Sequence, residues 1–497
     1  MSTSTQEKNL EKPGSHRTTS VVDVGSGDVH EAPAKLFNLW STLGIAFSLT
    51  STPIAIGTYL SVIIGVGGSP VFFFGYLLAG FMDLFVCFSL AEMAAVLPNS
   101  SGQIHWTAVL APQKYARGLS YVVGWLTVAG YFFWTSAAFL ITSQLIWALV
   151  QICHETFVTQ PWHFYVVYVA IALLSLLVNG PLIKMYPYML KGLVVYINAG
   201  ALFVMVALLA RSHPKQSAEY VFVDIVNLTG WKSNGVVFFI GMLPGLTAVN
   251  GFDCAAHMAE EVPNPRREIP QVMVLSAISS FAAGIPMILV YMFSITNTEN
   301  LLTPVGGQPV AQLMVDSLNS LAPTIICMAI FIVTFACCSF TMLTTWSRVW
   351  WSLSRESGTP LPRLMARIDE KSQLPYNSLI FATVACSLVG LLQLGSSLAL
   401  NAILGGAILC IFVSYAVPIA CLLLNRRRAF AEKHYFDLGR AGMFINVVSV
   451  AWIAFVFVSA TMNWAVVVFF GIVALSGVNW VAFSRTRFTV PRTIDTE

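Results

Sequence analysis

Residues 235–261 read "GVVFFIGMLPGLTAVNGFDCAAHMAEE": 15 residues without a charge run into Asn250 and Gly251, and Asp253, His257, Glu260 and Glu261 follow. A helix crossing hydrocarbon must satisfy its own backbone groups, and Pro244, Gly245 and Gly251 interrupt that ladder around "LTAVN". Backbone freed at mid-membrane depth is tolerated only where it is buried in protein or lines a cavity, and there its N–H and C=O groups can bind a solute. The first apolar run has the same character. In "GIAFSLTSTPIAIGTYL" (44–60), Thr50, Ser51 and Thr52 precede Pro53, and Gly57 follows. A proline kink packed on a neighbouring helix would account for either run alone. Interruptions in the first and sixth spans together point to a secondary transporter with an inverted repeat and a central site.

Composition agrees with a membrane setting. The 497 residues are 57% hydrophobic and 10% charged, against roughly 25% charged in an average soluble domain. Several runs exceed the roughly 20 apolar residues that a spanning helix needs. Hydropathy with Gly, Pro and charge punctuation predicts twelve spans, near 39–65, 70–96, 119–149, 162–181, 187–210, 235–259, 271–296, 321–351, 378–394, 398–424, 441–459 and 463–484. The stretch 441–483 is one uncharged run, far too long for a single crossing of a ~30 Å core, so a turn is expected at "SATMN" (459–463).

With the N-terminus inside, 23 of the 26 Lys and Arg fall on the cytoplasmic side; Arg211, Lys215 and Lys232 lie in the loop between spans five and six. This bias fixes the orientation. The expected organisation is a disordered cytoplasmic tail (1–38), a first half of five spans (39–210), an outer loop (211–234), a second half of five spans (235–424), a cytoplasmic loop (425–440), two further spans (441–484) and a cytoplasmic C-terminal tail (485–497). The sequon at Asn227 falls in the outer loop and is a glycosylation candidate, whereas the one at Asn99 falls inside and should stay bare. The nine cysteines lie mostly in apolar runs without metal-ligand spacing and read as small buried hydrophobes.

The polar residues inside the spans are the functional candidates, because an acid in hydrocarbon is costly. Asp253 has two readings: a group facing the solute or a coupling proton, or a cap on the restarted half-helix. His257 and Glu261 follow at helical spacing, as an inner gate or proton path, or as a helix end meeting water. Asp83 lies in the middle of the second span, and Glu92 nearer the inner surface suits a gate or packing partner. Lys191 and Asn198 of the fifth span stand near a possible ion position, but Lys191 is within snorkelling reach of the interface. In "GYFFWTSAAF" (130–139), at most two of the four successive aromatics from Tyr131 to Trp134 can face a site. No Walker A motif, selectivity filter or arginine ladder is present in the sequence, so direct ATP drive and channel function are not indicated.

The order of motifs resembles the amino acid-polyamine-organocation superfamily, in its fungal branch of amino-acid, choline and GABA permeases, over residues 38–484. The segments that carry the resemblance are "SLAEMAAVLPNSSGQIHWTAVLAP" (89–112), "LSYVVGW" (119–125), "AEYVFVDIVNLTGW" (218–231), residues 250–270, "SRVWWSLSRESGTPLP" (347–362), "LPYNSLI" (374–380), "SYAVPI" (414–419) and "LGRAGMFINVVSVAW" (438–452). Glu356 departs from the family's usual Asp, and the loop between spans eleven and twelve is nearly absent.

The resemblance implies a 5+5 inverted repeat of the leucine-transporter type, with two extra helices, broken first and sixth helices, and uptake coupled to a proton gradient. By position, the solute contacts it implies are Thr50, Ser51, Thr52, Thr247, Val249, Asn250 and Gly251, with Thr334 and Thr341 as weaker guesses; Tyr131 joins them as a pocket wall.

The expectation is an all-α polytopic membrane protein, not an enzyme, without cofactor or metal site. Its partners are a small nitrogenous solute and the lipid bilayer, with no nucleic acid, in the plasma membrane or alternatively the vacuolar one. Import and export, including service to a secondary-metabolite gene cluster, both stay open. A non-transporting nutrient sensor on the same scaffold is the rival reading, and the short tails leave it little room.

Overall fold

In the computed structural model the described residues are 37–394, 399–427, 430, 434–460 and 465–491. The N-terminal tail up to residue 36 lies outside them. Twelve helices among them are long and apolar enough to cross a membrane: Leu39–Tyr59, Gly68–Val96, Gln113–Cys153, Pro161–Asn179, Tyr186–Arg211, Asn234–Glu261, Pro265–Phe293, Leu321–Arg355, Tyr376–Leu394, Gly406–Leu424, Gly439–Ser459 and Val466–Ser484, called spans 1 to 12 in that order. The turn expected at 459–463 falls largely outside the described residues, between a helix ending at Ala460 and one starting at Ala465.

Burial sorts the spans into a centre and a rim. The most apolar window of span 1 is 89% buried and those of spans 6 and 10 are 67% buried, against 22% for span 4 and 17% for span 12. Helices apolar all round can sit in such a centre, while those at the rim turn apolar side chains such as Val195, Val478 and Val481 outward, a surface suited to lipid and not to water. Span 3 packs on spans 8 and 10, span 2 on spans 7 and 11, and span 1 on spans 5 and 7.

Span 1 starts at a capping box. Ser41 N donates to Asn38 Oδ1 at 3.1 Å and Asn38 N to Ser41 Oγ at 2.8 Å, satisfying two of the backbone donors orphaned at the helix start. The helix then runs from Leu39 to Thr50, breaks at Ser51 in the left-handed region (φ 43°, ψ 32°), and restarts at Thr52 with Pro53 in its first turn, where a missing N–H costs nothing.

Span 6 breaks differently. Its helix Leu243–Ala248 ends at Val249, Gly251 takes φ 99°, and Phe252–Glu261 continues as a 3-10 helix. Asp253 and His257 still meet there, Oδ2 lying 3.5 Å from Nε2, while Glu261 pairs with Arg348. Close approach of spans 2 and 6 depends on Gly245: a Cβ there would sit 2.8 Å from Tyr76 Cα and 3.0 Å from the Gly75 carbonyl oxygen.

On the side assigned to the outside, strand β1 (Val66–Gly67) pairs antiparallel with β2 (Val226–Asn227), tying the outer loop to the end of span 1. On the opposite side, the chain after span 12 is held. Phe488 is buried against Tyr121 and Trp480, Thr489 N donates to Glu356 O at 3.0 Å, and Pro491 O lies 3.3 Å from His105 Nδ1 on the short helix Gln103–Leu110.

Candidate functional site

The two breaks meet at a narrow cavity of about 50 Å³. Span 1 contributes Thr50 and Tyr59 to its wall, span 3 contributes Trp134, span 6 contributes Thr247 and Asn250, and span 8 contributes Phe335, Cys338 and Met342. Three aromatic side chains and two sulfur-bearing ones stand among aliphatic residues in its wall, and none of its lining residues carries a charge. A wider cavity of about 560 Å³ lies at the end assigned to the outside, lined by Gln144, Gln151, Phe157 and Thr303 among others, away from both breaks.

The hydroxyls of the span 1 break are spent within the protein. Thr50 Oγ1 donates to Phe47 O at 3.1 Å and lies 3.1 Å from Ser280 Oγ; Ser51 Oγ donates to Ser48 O at 2.5 Å. Thr52 Oγ1 reaches across to Ala248 O at 2.5 Å, so the first break is tied to the second by a side chain. Thr247 Oγ1 likewise donates to its own helix. Ser51, Thr52, Val249 and Gly251 are buried at the breaks without lining the cavity.

Asn250 behaves otherwise. Its Nδ2 donates to Asp83 Oδ2 at 2.8 Å and to Leu246 O, while its buried Oδ1 has no hydrogen-bond partner. Asp83 Oδ1 in turn accepts from Trp452 Nε1 of span 11 at 2.9 Å. The mid-membrane acid of span 2 is therefore joined to the cavity through an amide.

Asp253 faces away from the cavity into a cage of side chains. Its Oδ1 accepts from Tyr131 Oη at 2.8 Å and from Tyr415 Oη at 2.6 Å. Oδ2 accepts from Gln103 Nε2 at 2.5 Å and lies 3.5 Å from His257 Nε2. Gly251, not Asp253, occupies the position preceding the restarted helix, and no side-chain cap is formed there. The acid beside the break thus serves side chains of four elements instead of orphan backbone N–H groups.

His257 Nδ1 is 3.0 Å from Ser100 O. A carbonyl only accepts, so Nδ1 carries a hydrogen, and the other ring nitrogen is turned toward a carboxylate.

Beyond this cage the inner end is latched. Arg348 Nε meets Glu261 Oε1 at 3.1 Å, both residues buried. Arg355 grips Glu260 with both terminal nitrogens at 2.8 Å, stacks over Trp351 and also donates to Ser100 Oγ at 3.1 Å. Phe37 N donates to Glu261 O, closing the start of span 1 onto the same point.

Glu92 belongs to a separate contact, accepting from Arg427 Nη2 at 2.6 Å and from Leu438 N at 2.9 Å. Glu92, His434 and Asp437 have ligand atoms close enough to hold a metal. Arg427 Nη2 and Leu438 N both take Glu92 Oε1, an ion pair that joins span 2 to the segments after span 10, while Oε2 is buried without a hydrogen-bond partner.

The remaining candidates scatter. Lys191 and Asn198 are exposed on the outer face of span 5. Tyr131 and Trp134 turn inward, while Phe132 and Phe133 are half-buried and Phe132 packs on Trp346. Thr334 is buried with its hydroxyl unpartnered, and Thr341 bonds Cys338 O at 2.8 Å. Asn227 Nδ2, where a glycan would attach, donates to Trp231 O at 2.7 Å. Eight cysteines are buried and Cys153 is exposed, all of them free thiols.

Sequence reasoning missed Gln103, Tyr415, Trp452, Arg348 and Arg355. Each lies in a motif that was recognised, "SSGQIH", "SYAVPI", "VSVAW" and "SRVWWSLSRES", but nothing in a linear sequence says that these segments converge on spans 2 and 6.

Comparison with known proteins agrees with this architecture. Residues 37–484 match the family model described as amino acid permease. The choline transporter of Saccharomyces cerevisiae is 30% identical over 93% of this chain and 83% of its own length. The swainsonine transporter of Arthroderma benhamiae is 29% identical over 84% of this chain and 82% of its own, and amino-acid permease 2 of Neurospora crassa is 26% identical over 92% and 86%. A central cavity between two broken spans, in a chain of twelve apolar helices matched over nearly its whole length, makes this protein a transporter of small nitrogenous solutes that belongs to the amino acid permease family.

Proposed function

We propose that this protein carries a small organic cation, with choline as the type case, by alternating access and in symport with a proton. The observation that supports the cation most directly is the cavity's polarity. Among the lining residues Asn250 presents a buried unpartnered acceptor, Oδ1, and Trp134, Tyr59 and Phe335 supply aromatic faces. Aromatic faces attract quaternary ammonium groups, and a hydroxyl or ammonium N–H on the solute would satisfy the free carbonyl. A carboxylate would need donors, and the amide hydrogens of Asn250 are already committed to Asp83 and Leu246.

Alternating access is supported by the closed inner latch. Opening the path from the cavity to the inner side requires separating Glu260 and Glu261 from Arg355 and Arg348. Ser100 links this latch to the proton site, because its hydroxyl serves Glu260 and Arg355 while its carbonyl holds His257. Moving Ser100 would free His257 Nδ1 and change the hold on the proton shared with Asp253. Inner opening and proton release would then be one event.

Uptake of radiolabelled choline, GABA and amino acids by permease-deficient yeast expressing this chain tests the reading, with and without an uncoupler. Choline should accumulate and the uncoupler should abolish its accumulation. A panel in which only zwitterions enter would refute the cation, and uptake indifferent to the uncoupler would refute the symport.

A further inference from the structure

We infer that Asp83 sets the hydrogen-bonding polarity of the cavity: by accepting from Asn250 Nδ2 it holds that amide with its carbonyl, not its N–H, available to the solute. The inference rests on the reading of this cavity as the solute site, and it assigns Asp83 as a positioning residue for specificity.

An amide can present either face, and its neighbours decide which. Both neighbours of Asn250 Nδ2, Asp83 Oδ2 at 2.8 Å and Leu246 O, are acceptors. Turning the amide over would set Oδ1 against those two oxygens and strand both amide hydrogens. Oδ1 is therefore left over, buried and unpartnered, on a residue that lines the cavity. An unpaired buried acceptor is costly, and a bound donor recovers that cost. Asp83 is itself pinned, since Trp452 Nε1 donates to its other oxygen at 2.9 Å and Asp83 has no solvent exposure. The chain Trp452, Asp83, Asn250 runs from span 11 through span 2 to the break in span 6, and it passes where Gly245 lets spans 2 and 6 touch.

The geometry makes an unusual demand on Asp83→Asn. The introduced amide must offer its oxygen to Trp452, which only donates, and so turns its NH2 toward Asn250. Two NH2 groups then confront each other, and turning Asn250 so that N–H faces the cavity relieves that at the cost of setting Oδ1 against Leu246 O. The KM for choline should rise about 10-fold or more, the worth of one such polar contact, with maximal uptake per surface transporter within about threefold.

Removing the demand should restore the site. In Asp83→Asn with Trp452→Phe, the introduced amide is free to offer its oxygen to Asn250, and KM should return to within about threefold of the parent, the residue of a contact remade without its charge. A residue that merely packs would not be rescued by deleting a second hydrogen bond. An unchanged KM in Asp83→Asn, or a double variant no better than the single, overturns the relay.

If Asp83→Asn does not reach the surface, the exchange Asp83→Asn with Asn250→Asp decides. There the introduced amide bonds Trp452 and donates to the introduced carboxylate, whose second oxygen keeps an acceptor toward the cavity. Retained choline uptake supports the relay, and lost uptake at normal surface level overturns it. Asn250→Leu separates the relay from the reading beneath it. If that variant leaves the choline KM unchanged, the cavity is not the solute site and both fall; if it raises KM while Asp83→Asn does not, the relay alone falls.

Discussion

The two broken spans solve the same problem with different chemistry. At span 1 one residue, Ser51, takes a left-handed conformation, and the ladder closes around it: Ser51 N still donates to Phe47 O, while Ile54 N and Ala55 N both reach Ser51 O. Thr50 and Ser51 bond backward into their own helix, while Thr52 reaches across to Ala248 O of span 6. At span 6 the break covers Val249 to Gly251, and its polar side chains reach outward, Asn250 to Asp83 and Asp253 to Tyr131, Tyr415, Gln103 and His257. Hydroxyls at a break repair the backbone locally, since Ser and Thr bond the carbonyls three or four residues back. An amide and an acid cannot be satisfied that way and must recruit neighbouring spans. The span 1 break thus carries most of its own support, with one tie to span 6, and the span 6 break is a junction bonded to spans 2, 3 and 10 and, through Asp83, to span 11.

The largest expected effect follows from that junction. Asp253→Asn removes the carboxylate that accepts from Tyr131, Tyr415 and Gln103, and under the proposed proton role the loss of a group that takes and gives a proton typically costs about 10²–10⁴ in rate. Uptake should fall about 100-fold or more with surface expression intact; an equal fall in folded protein would instead make the acid structural.

Arg348→Ala comes next, because it leaves Glu261 buried and unpaired. Stripping one partner from a buried pair costs about 3–5 kcal/mol. Purified protein should melt well below the parent, and an unchanged melting temperature would show that the latch contributes nothing to stability.

Gly251→Ala then separates the two breaks by backbone alone. It forces a side chain to φ 99° with its Cβ 2.3 Å from Leu49 Cδ2, a strain on the order of 1–3 kcal/mol. Ser51→Ala keeps a left-handed residue but loses one bond to Ser48 O, worth about 0.5–1.5 kcal/mol. Choline uptake should fall severely in the first and stay within about threefold in the second. The reverse order would make span 1 the more demanding break.

The smallest effect is a slope with pH. Burial holds the His105 imidazole down to about 4, against an ordinary value of 6.5. Between those values the unfolded chain binds a proton that the folded one does not, so stability rises with pH through that window and is lost as pH falls from 6.5 toward 4. Melting temperatures at pH 7.5 and pH 5 should differ, and His105→Gln should flatten the difference. A slope that persists in the variant would place the titration elsewhere. His105 stands two residues from Gln103, so the same variant reports whether this short helix supports the Asp253 cage.

Much of the fold was legible because hydrocarbon imposes a one-dimensional constraint. Each crossing needs its own apolar run, and the spans expected near 70–96 and 235–259 differ from Gly68–Val96 and Asn234–Glu261 by a few residues at their ends. The breaks were legible too, since Pro53, Pro244 and Gly251 announce themselves by chemistry. The site was legible on the broken spans and, off them, in Asp83, Tyr131 and Trp134. Gln103 and Tyr415 are unremarkable in sequence, a polar residue after span 2 and a tyrosine in an apolar run, and acquire meaning only when they converge on Asp253 from 150 and 162 positions away.

The sequence by itself determined that this chain spans a membrane twelve times, where its helices must open, and which acids had to be buried, because those follow from local hydropathy and backbone chemistry. Tertiary structure decided what the acids do. Asp253 meets a cage of side chains in place of a cap, Asp83 accepts from Asn250 and Trp452, and Glu260 and Glu261 pair with Arg355 and Arg348, since each of these depends on donors brought together by packing from 87 to 369 positions away.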